Sequence, residues 1–553
     1  MAVKPSRAPR AEGVATVPPS RAAAQPGETA DLPRFTGRFL ARATLVTAAL
    51  SVAGALLGLV RDQALARLFG AGSGTDAFLV AWTVPEFATT LLIEDGLAFA
   101  LIPAFSLALA RRARGVPGDP VRALVRSTLP RLALGFAAAG AVLAATAPYL
   151  VRALAPGLAD PALATDCTRL TGTCVLSFGL AGYCSAVLRA HRRFLAPAAI
   201  YVAYNTGIIV TMLALGGRWG VRSAAAGVAV GGCLMIAVQL PSLASRLRRR
   251  TLHTRRVADE QARPLDNALL TTVLLFALCR QSQVLVERFF ASHLPAGAIS
   301  HLNYAQKVAQ MPMVLSVMVC TVTFPLVARA LADGDTERAR TRVERDLALA
   351  ASLVLLGAAG VIACAPQIIE VLFQRGAFTA SDTAATAGVM RVYALGLLAQ
   401  TLVGVLVRSY FSAGRATWYP FAAMAAGIAV TCGTGAFTVG PWGVTGIAAA
   451  NATGITLTAG LLLAGTGRHS VPIRTRRVLH ELSRPAAAAV AAGAAGGYAA
   501  AEPRSAAGGL AAGAVTVTAV FVLLGPALGA QGLSPALRLA RTAIGRLTHA
   551  RHR

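Results

Sequence analysis

Residues 195–245 read LAPAAIYVAYNTGIIVTMLAL, then GGRWG, then VRSAAAGVAVGGCLMIAVQLPSLAS, and a basic run from Arg246 to Arg256 follows at once. Each long block is predominantly apolar for about 20 residues, the length a helix needs to cross the hydrocarbon core of a bilayer. Charge is confined to the short stretches that border the blocks, which is how membrane topology is written into a sequence. The basic stretch after the second block, up to residue 266, is the longest internal loop and is far too short to be a catalytic domain.

The same alternation fills the chain on both sides. Apolar segments lie near 43–60, 77–110, 132–151, 168–188, 195–215, 221–245, 267–290, 302–328, 347–373, 385–413, 418–439, 442–466, 485–501 and 505–530, which predicts about 14 transmembrane helices. The fold class expected is therefore an all-α polytopic membrane protein. Of 553 residues, 55% are hydrophobic and only 14% charged, whereas a soluble domain carries about 25% charged residues. That excludes an ordinary cytosolic enzyme, and it excludes disorder over most of the length. Residues 1–35, rich in Pro, Arg and Ala, read as a disordered cytoplasmic tail and not as a cleavable signal peptide.

A net charge of +28 could indicate nucleic acid, but its placement answers to topology. With the N-terminus inside, nine Lys or Arg fall on the outer side (Arg61, Arg67, Arg152, Arg169, Arg218, Arg222, Arg288, Arg375 and Arg504) and three inside spans (Arg280, Lys307 and Arg391). The remaining 40 of 52 fall on the inner side, which places both termini in the cytoplasm and lets the basic loops meet anionic lipid headgroups. None of the eight cysteines or eight histidines forms a cluster with metal spacing, so the cysteines read as small core residues and no metal site is expected.

The chain also repeats itself. Gly217-Arg-Trp-Gly-Val221 returns as Gly440-Pro-Trp-Gly-Val444; Gly179-Leu180 and the run to Arg189 resemble Gly396-Leu397 and the run to Arg408; Asp76 precedes Pro85 by the nine residues that separate Asn303 from Pro312. This predicts two pseudo-symmetric six-helix lobes, 36–245 and 267–467, joined by the basic loop 246–266. Spans 13–14 follow within 468–530, and a basic cytoplasmic tail covers 531–553. Duplication can persist for stability alone, but repeated halves suit a transporter that rocks about a central site.

Polar residues at membrane depth carry the functional signal, because each costs several kcal/mol, on the order of 3, unless it faces a polar cavity. Asn303, Gln306, Lys307 and Gln310 share one face of span 8, Arg280, Gln283 and Glu287 one face of span 7, and Thr83, Glu86, Thr90 and Glu94 one face of span 2 beside Asp95. Three such stripes imply one hydrated cavity. Simpler readings compete: Arg61, next to Asp62 at the end of span 1, and Lys307 are placed to snorkel, Glu86 and Glu94 to pair with the cations, Arg391 and Arg408 to pack the second bundle or its rim, and Asn205 and Asn451 to bond between helices. A cavity with cations suits an anionic substrate such as phosphate or pyrophosphate. No Walker A motif is present, so transport would be secondary or driven by membrane potential.

The run Gly58-Leu-Val-Arg-Asp-Gln-Ala-Leu-Ala-Arg-Leu-Phe-Gly-Ala-Gly72 with Thr75-Asp76-Ala-Phe78 resembles a signature of the MurJ (MviN) family. So do Leu372-Phe-Gln-Arg-Gly-Ala-Phe-Thr379 with Asp382, Tyr393-Ala-Leu-Gly-Leu397, and Asn303-Tyr-Ala-Gln-Lys-Val308 with Pro312. The family comprises lipid II flippases of the multidrug/oligosaccharidyl-lipid/polysaccharide exporter superfamily. The resemblance implies a bacterial cytoplasmic-membrane flippase, with no cofactor beyond an unidentified coupling ion, and spans 13–14 as a groove for the lipid tail. Its partners would be lipid II or a similar polyprenyl-pyrophosphate glycan, membrane lipids and cell-wall synthesis proteins. It makes Arg61, Lys307 and Asn205 substrate-binding positions, to which the mid-span Arg280 adds charge, and it makes Asp62, Asp76, Glu94 and Asp95 gating or ion-pairing positions. The chain departs from the family where a Ser-Arg pair falls on Gly54-Ala55 and an Arg pair on Thr89-Thr90. Two alternatives stand beside the flippase: a small-molecule or drug antiporter, which the cavity carboxylates allow, and a non-transporting scaffold for cell-wall assembly.

Overall fold

Helices begin where the sequence supplies an acceptor for their first amides. The N–H groups of Val121 and Arg122 donate to the Asp119 carboxylate (3.2 and 3.3 Å), that of Leu163 to Asp160 (2.9 Å), and that of Arg338 to Asp335 (2.9 Å). Proline follows the cap at Pro120 and Pro161, where its missing N–H costs nothing. Thr379 and Asp382 bond reciprocally in a capping box.

The computed structural model describes residues 37–94, 96–114, 119–248, 267–314, 316, 335–412 and 417–529. Residues 37–46 are the first turns of α1, and the unit 47–553 holds the rest of it and all other helices. In chain order these are α1 (Gly37–Phe69), α2 (Ser73–Ala81), α3 (Thr83–Ala88), a π-helical turn (Thr89–Glu94), α4 (Gly96–Ala113), α5 (Pro120–Leu154), α6 (Pro161–Gly172), α7 (Cys174–Ala190), α8 (Leu195–Trp219), α9 (Arg222–Ala237) and α10 (Leu240–Arg248). The second set is α11 (Asn267–Ser292), α12 (Ala298–Ala309), α13 (Thr336–Ala363), α14 (Ala365–Phe373), α15 (Ala380–Ala394), α16 (Leu397–Ser412) and α17 (Tyr419–His469). The chain then continues through α18 (Thr475–Ala501) and α19 (Ala506–Ala527). The protein is helical and multi-pass.

Among the described residues nine helices are long and apolar enough to cross a membrane, ten if α15 and α16, bent by 48°, count as one span. Fourteen is the expectation, and the difference has local causes. α17 runs through two expected spans, broken only at Gly443. α11 carries Arg280, Gln283, Glu287 and Arg288 on its polar face, and α18 opens with Thr475-Arg-Arg-Val-Leu-His-Glu-Leu-Ser-Arg484. The span expected at 302–328 is described only over 302–314 and at 316.

The repeat reappears as backbone geometry. Gly220 (φ 55°, ψ −141°) and Gly443 (φ 54°, ψ −133°), 223 residues apart, hold the same left-handed-half conformation at the turn after the motif tryptophan. Only glycine adopts that conformation at little cost. One buried core runs through both helical sets, from Phe78 and Phe178 to Tyr304, Phe373 and Tyr393. α18 and α19 pack on each other and on α13 and α14 through small residues such as Ala488, Ala492 and Cys364. Cys167, Cys174, Cys184 and Cys364 are buried as expected, but Cys233 on α9 is exposed. Outward side chains such as Val490, Tyr498, Val515 and Leu523 give α18 and α19 an exposed apolar surface.

Candidate functional site

The polar faces of α11, α12 and the segment around the π turn converge on one cavity of about 1030 Å³. α11 contributes Arg280, Gln283, Glu287 and Arg288; α12 and its C-cap contribute Asn303, Gln306, Lys307 and Gln310; the second span contributes Glu86, Thr89, Thr90 and Glu94. Tyr393, Arg408 and Asn451 complete the wall from α15, α16 and α17. Glu86, Thr90 and Glu94 share this space as their four-residue spacing predicts. The helix widens into a π turn at Thr89–Glu94, just past Pro85, and Thr89 lines the cavity beside them.

The cations meet around Asp62. Arg61 donates through Nε and Nη2 to Asp62 Oδ1 (3.0 and 2.7 Å) and through Nη1 to Asn205 Oδ1 (3.2 Å). Lys307 Nζ, from the second helical set, lies 3.2 Å from Asp62 Oδ2. Trp82 is the shared platform, its ring 4.3 Å from the Arg61 guanidinium carbon and 5.6 Å from Lys307 Nζ. Asn205 is held in turn by donating to the carbonyls of Gly54 (3.1 Å) and Tyr201 (3.0 Å). Asn205 is buried and does not line the cavity. It orients Arg61, so the bonding reading fits it better than direct substrate contact. Lys307 and Trp82 line the cavity, with Arg61 and Asp62 packed behind them.

A second cluster joins the two sets. Arg288, assigned to the outer surface by the charge count, is instead 4% exposed, because α11 turns it inward against α2 and α3. There it donates to the Leu79 carbonyl, the Thr83 hydroxyl and Glu86 Oε2, the last at 3.0 Å. Beside it Glu287 accepts from Asn451 and, at 3.3 Å, from Gln283.

Among the described residues Asp76 makes no ion pair. Its buried carboxylate accepts from the amides of Gly297 (2.7 Å) and Ser300 (2.8 Å) and from the Ser300 hydroxyl (2.5 Å), so α2 caps the start of α12. Nearby, the Ala377 amide donates to the Arg67 carbonyl (2.9 Å), Gln63 to the Leu372 carbonyl (3.0 Å), and the Gly157 amide to Ser292 Oγ (3.3 Å). These bonds gather at the end of the bundle that carries the turns near residues 70, 157, 295 and 376, here termed the closed end.

Of the other expected gating residues, Glu94 lines the cavity, exposed, and accepts from the Tyr201 hydroxyl (3.0 Å) without a cation partner in the described residues. Asp95 lies outside the described residues. Arg280 is exposed to the cavity. Thr89 and Thr90 face the cavity, while a side chain at Gly54 would meet Tyr201 Cβ at 2.9 Å, and Ala55 points outward. Trp82 and Arg288 escaped sequence reasoning. The available signal for Arg288 was its spacing of eight from Arg280, which keeps it near the same helical face. Among the described residues no group of His, Cys, Asp or Glu is placed to hold a metal.

Comparison with known proteins follows this geometry. The family model described as Lipid II flippase MurJ matches residues 65–507. Lipid II flippase MurJ of Burkholderia cenocepacia is 27% identical over 387 residues, covering 68% of this chain and 73% of that protein. A probable lipid II flippase MurJ of Bdellovibrio bacteriovorus is 27% identical over 453 residues, covering 79% and 83%. Among solved structures, Lipid II flippase MurJ in an inward closed conformation superposes with a TM-score of 0.69 at 18% identity, covering 87% of this chain and 98% of that one. An inward-facing multidrug resistance MATE family transporter gives 0.59 at 15% identity, covering 79% and 98%. At these identities the structural matches speak for the fold.

Proposed function

Since the chain belongs to the MurJ lipid II flippase family, we propose that it carries lipid II, or a closely similar polyprenyl-pyrophosphate glycan, from the inner to the outer leaflet of the bacterial cytoplasmic membrane. The observation that supports this most directly is the cavity, whose wall joins Lys307 to the Arg61–Asp62 pair across the two helical sets. Its volume of about 1030 Å³ is at the upper edge of the range for drug-sized ligands, roughly 300–1,000 Å³, and gives room for a polar headgroup. The excess of Lys and Arg on one side supports cytoplasmic termini, with the closed end facing outward.

On this reading the anionic headgroup enters from the cytoplasmic end and engages Lys307 and Arg61, while the polyprenyl tail stays in lipid beside α18 and α19. Residues 36–245 and 267–467 act as two lobes that rock between inward- and outward-open states, Asp76 releasing the start of α12 as the outer end opens. The protein performs no covalent chemistry.

The test is growth and outer-leaflet lipid II exposure in a bacterium depleted of its own flippase. The chain should restore both. Lys307→Glu should abolish exposure at unchanged membrane abundance, since it places a like charge against the headgroup and against Asp62. Normal exposure in that variant refutes the headgroup role of Lys307.

A further inference from the structure

Lys307 comes to the cavity in the company of three carboxamides. Asn303, Gln306 and Gln310 line the same wall, on α12 and its C-cap. Their spacing of three and four residues, with Lys307 directly after Gln306, sets all four along one side of the helix over about two turns. The cation cluster makes no use of the carboxamides: Lys307 is turned to Asp62, and Arg61 is oriented by Asn205. Carboxamides add no charge to offset a phosphate, so this stretch of wall suits a different part of a ligand.

Their hydrogen bonding is unfinished. Gln306 Nε2 donates to the Tyr393 hydroxyl of α15 (2.8 Å), and Gln310 Nε2 donates to the same oxygen (3.2 Å). A phenol carries a single proton, so Tyr393 can satisfy at most one of these amides as an acceptor. Among the described residues neither glutamine makes a further side-chain hydrogen bond. Asn303 lines the cavity and is only 8% exposed, yet its Oδ1 is buried with no hydrogen-bond partner. Such a carbonyl has given up water and gained nothing in return. A half-turn of a terminal amide exchanges its acceptor and donor ends, so an arriving ligand can meet either. Two kinds of donor would complete these oxygens: an ammonium, or an uncharged O–H or N–H. Lys307 stands in the row itself and Arg280 is exposed to the same cavity, so a further cation is repelled. Hydroxyl and amide groups remain, and a carboxamide matches an acylamino group in both directions, oxygen to N–H and N–H to C=O.

We propose that Asn303, Gln306 and Gln310 form an uncharged subsite that binds the sugar next to the diphosphate, through its hydroxyl and amide groups, while the diphosphate lies at Lys307. This deepens the flippase reading and rests on it for the identity of the lipid. It adds the residues that tell a glycosylated diphosphate from a bare one. A site whose buried polar groups are completed only by the right ligand discriminates strongly against one that lacks the matching groups.

The test uses the purified full-length protein in nanodiscs of zwitterionic lipid, titrated by calorimetry with two probes. One is farnesyl diphosphate; the other is the same molecule carrying N-acetylglucosamine on its terminal phosphate. The glycosylated probe should bind about tenfold tighter, which is what one or two net neutral hydrogen bonds supply. Asn303→Leu/Gln310→Leu should bring the ratio of the two affinities to about one. Lys307→Gln should weaken both probes and keep their ratio. Because Asn303→Leu alone removes an unpaired buried carbonyl, its thermal midpoint should not fall. A lower midpoint in that variant, with both probes weakened alike, assigns Asn303 to folding and overturns the subsite. Equal affinity of the unaltered protein for the two probes, or no binding of the glycosylated one, overturns it without any variant. So does a sugar preference that survives the double leucine substitution. If the unaltered chain restores no lipid II exposure while the sugar preference and its dependence on Asn303 persist, the flippase reading falls and the subsite stands. If exposure is restored, and the double leucine variant restores it equally with its sugar preference intact, the subsite falls alone.

Discussion

Replacing Arg288 with glutamine should open the closed end without unfolding either helical set. The side chain is 4% exposed, and its partners Leu79, Thr83 and Glu86 all lie on α2 and α3, across the interface from α11. Removing one partner of a buried ion pair costs about 3–5 kcal/mol, because the other charge is left behind. Here Glu86 is 24% exposed to the cavity and can rehydrate, so the loss should sit near the lower end, about 3 kcal/mol. Since every one of these bonds crosses the interface, that loss bears on closure and shifts the closed-to-open ratio about a hundredfold. The amides of Gly297 and Ser300 report it directly, because both are held by Asp76 across the same seam. Hydrogen exchange over residues 293–301 should speed up about a hundredfold, with amides of the buried helix α7 unchanged. The reasoning is refuted if exchange at 297–300 is unaltered, or if α7 loses protection equally, since the first denies that Arg288 governs closure and the second makes its role global. A double cycle with Glu86→Gln should be non-additive.

Two further substitutions probe the frame. Gly220→Ala and Gly443→Ala should each destabilise by about 1–3 kcal/mol, a purely conformational cost because an added Cβ meets nothing within 4 Å at either site; near-equal drops in thermal midpoint check it, and a neutral substitution at both sites contradicts the shared turn geometry. Gly513→Leu should pry α19 from its neighbours, since even a Cβ there would meet Cys364 Sγ at 2.5 Å and Ala500 Cβ at 2.9 Å. The expected loss is about 1–3 kcal/mol or more, and it should reach lipid II exposure before it reaches the Arg288 seam, as exchange over 293–301 can show.

Much of this architecture is legible because bilayer physics is one-dimensional. Span length, charge asymmetry and the repeated Trp-Gly turn are read along the chain, and the polar stripes of α11 and α12 follow from helical spacing alone. What sequence could not supply is depth and partner. Arg288 looked like a boundary residue because it stands at the end of an apolar run, yet α11 extends past it to Ser292 and turns it against α3. Asp76 read as a gating or ion-pairing residue, whereas its partners are the Gly297 and Ser300 amides and the Ser300 hydroxyl, a cap on α12 that is 221 to 224 residues away along the chain. Helical counting found Glu86, Thr90 and Glu94 but not Thr89, which joins them in the cavity wall where a π turn adds one residue to the helical turn.

The cation cluster also explains why binding and opening need not be separate devices. Asp62 is bonded both to Arg61 from its own helix and to Lys307 from the opposite set, so it is at once the counter-ion of the site and a bond across the seam. An anionic headgroup at Lys307 competes with Asp62 for the same ammonium. Whatever affinity the headgroup gains there is diminished in the closed state by the bond it displaces, and is not diminished in a state where the seam has already parted. That difference in affinity is the only quantity by which a ligand can shift a conformational equilibrium. In the proposed cycle Arg288 pulls the other way, since its bonds to the Leu79 carbonyl and the Thr83 hydroxyl lie inside the seam, so it restores closure once the headgroup has left. In that proposed cycle a duplicated frame supplies the two lobes that move, and the unequal placement of Asp62, Lys307 and Arg288 on that frame makes the movement answer to charge in the cavity.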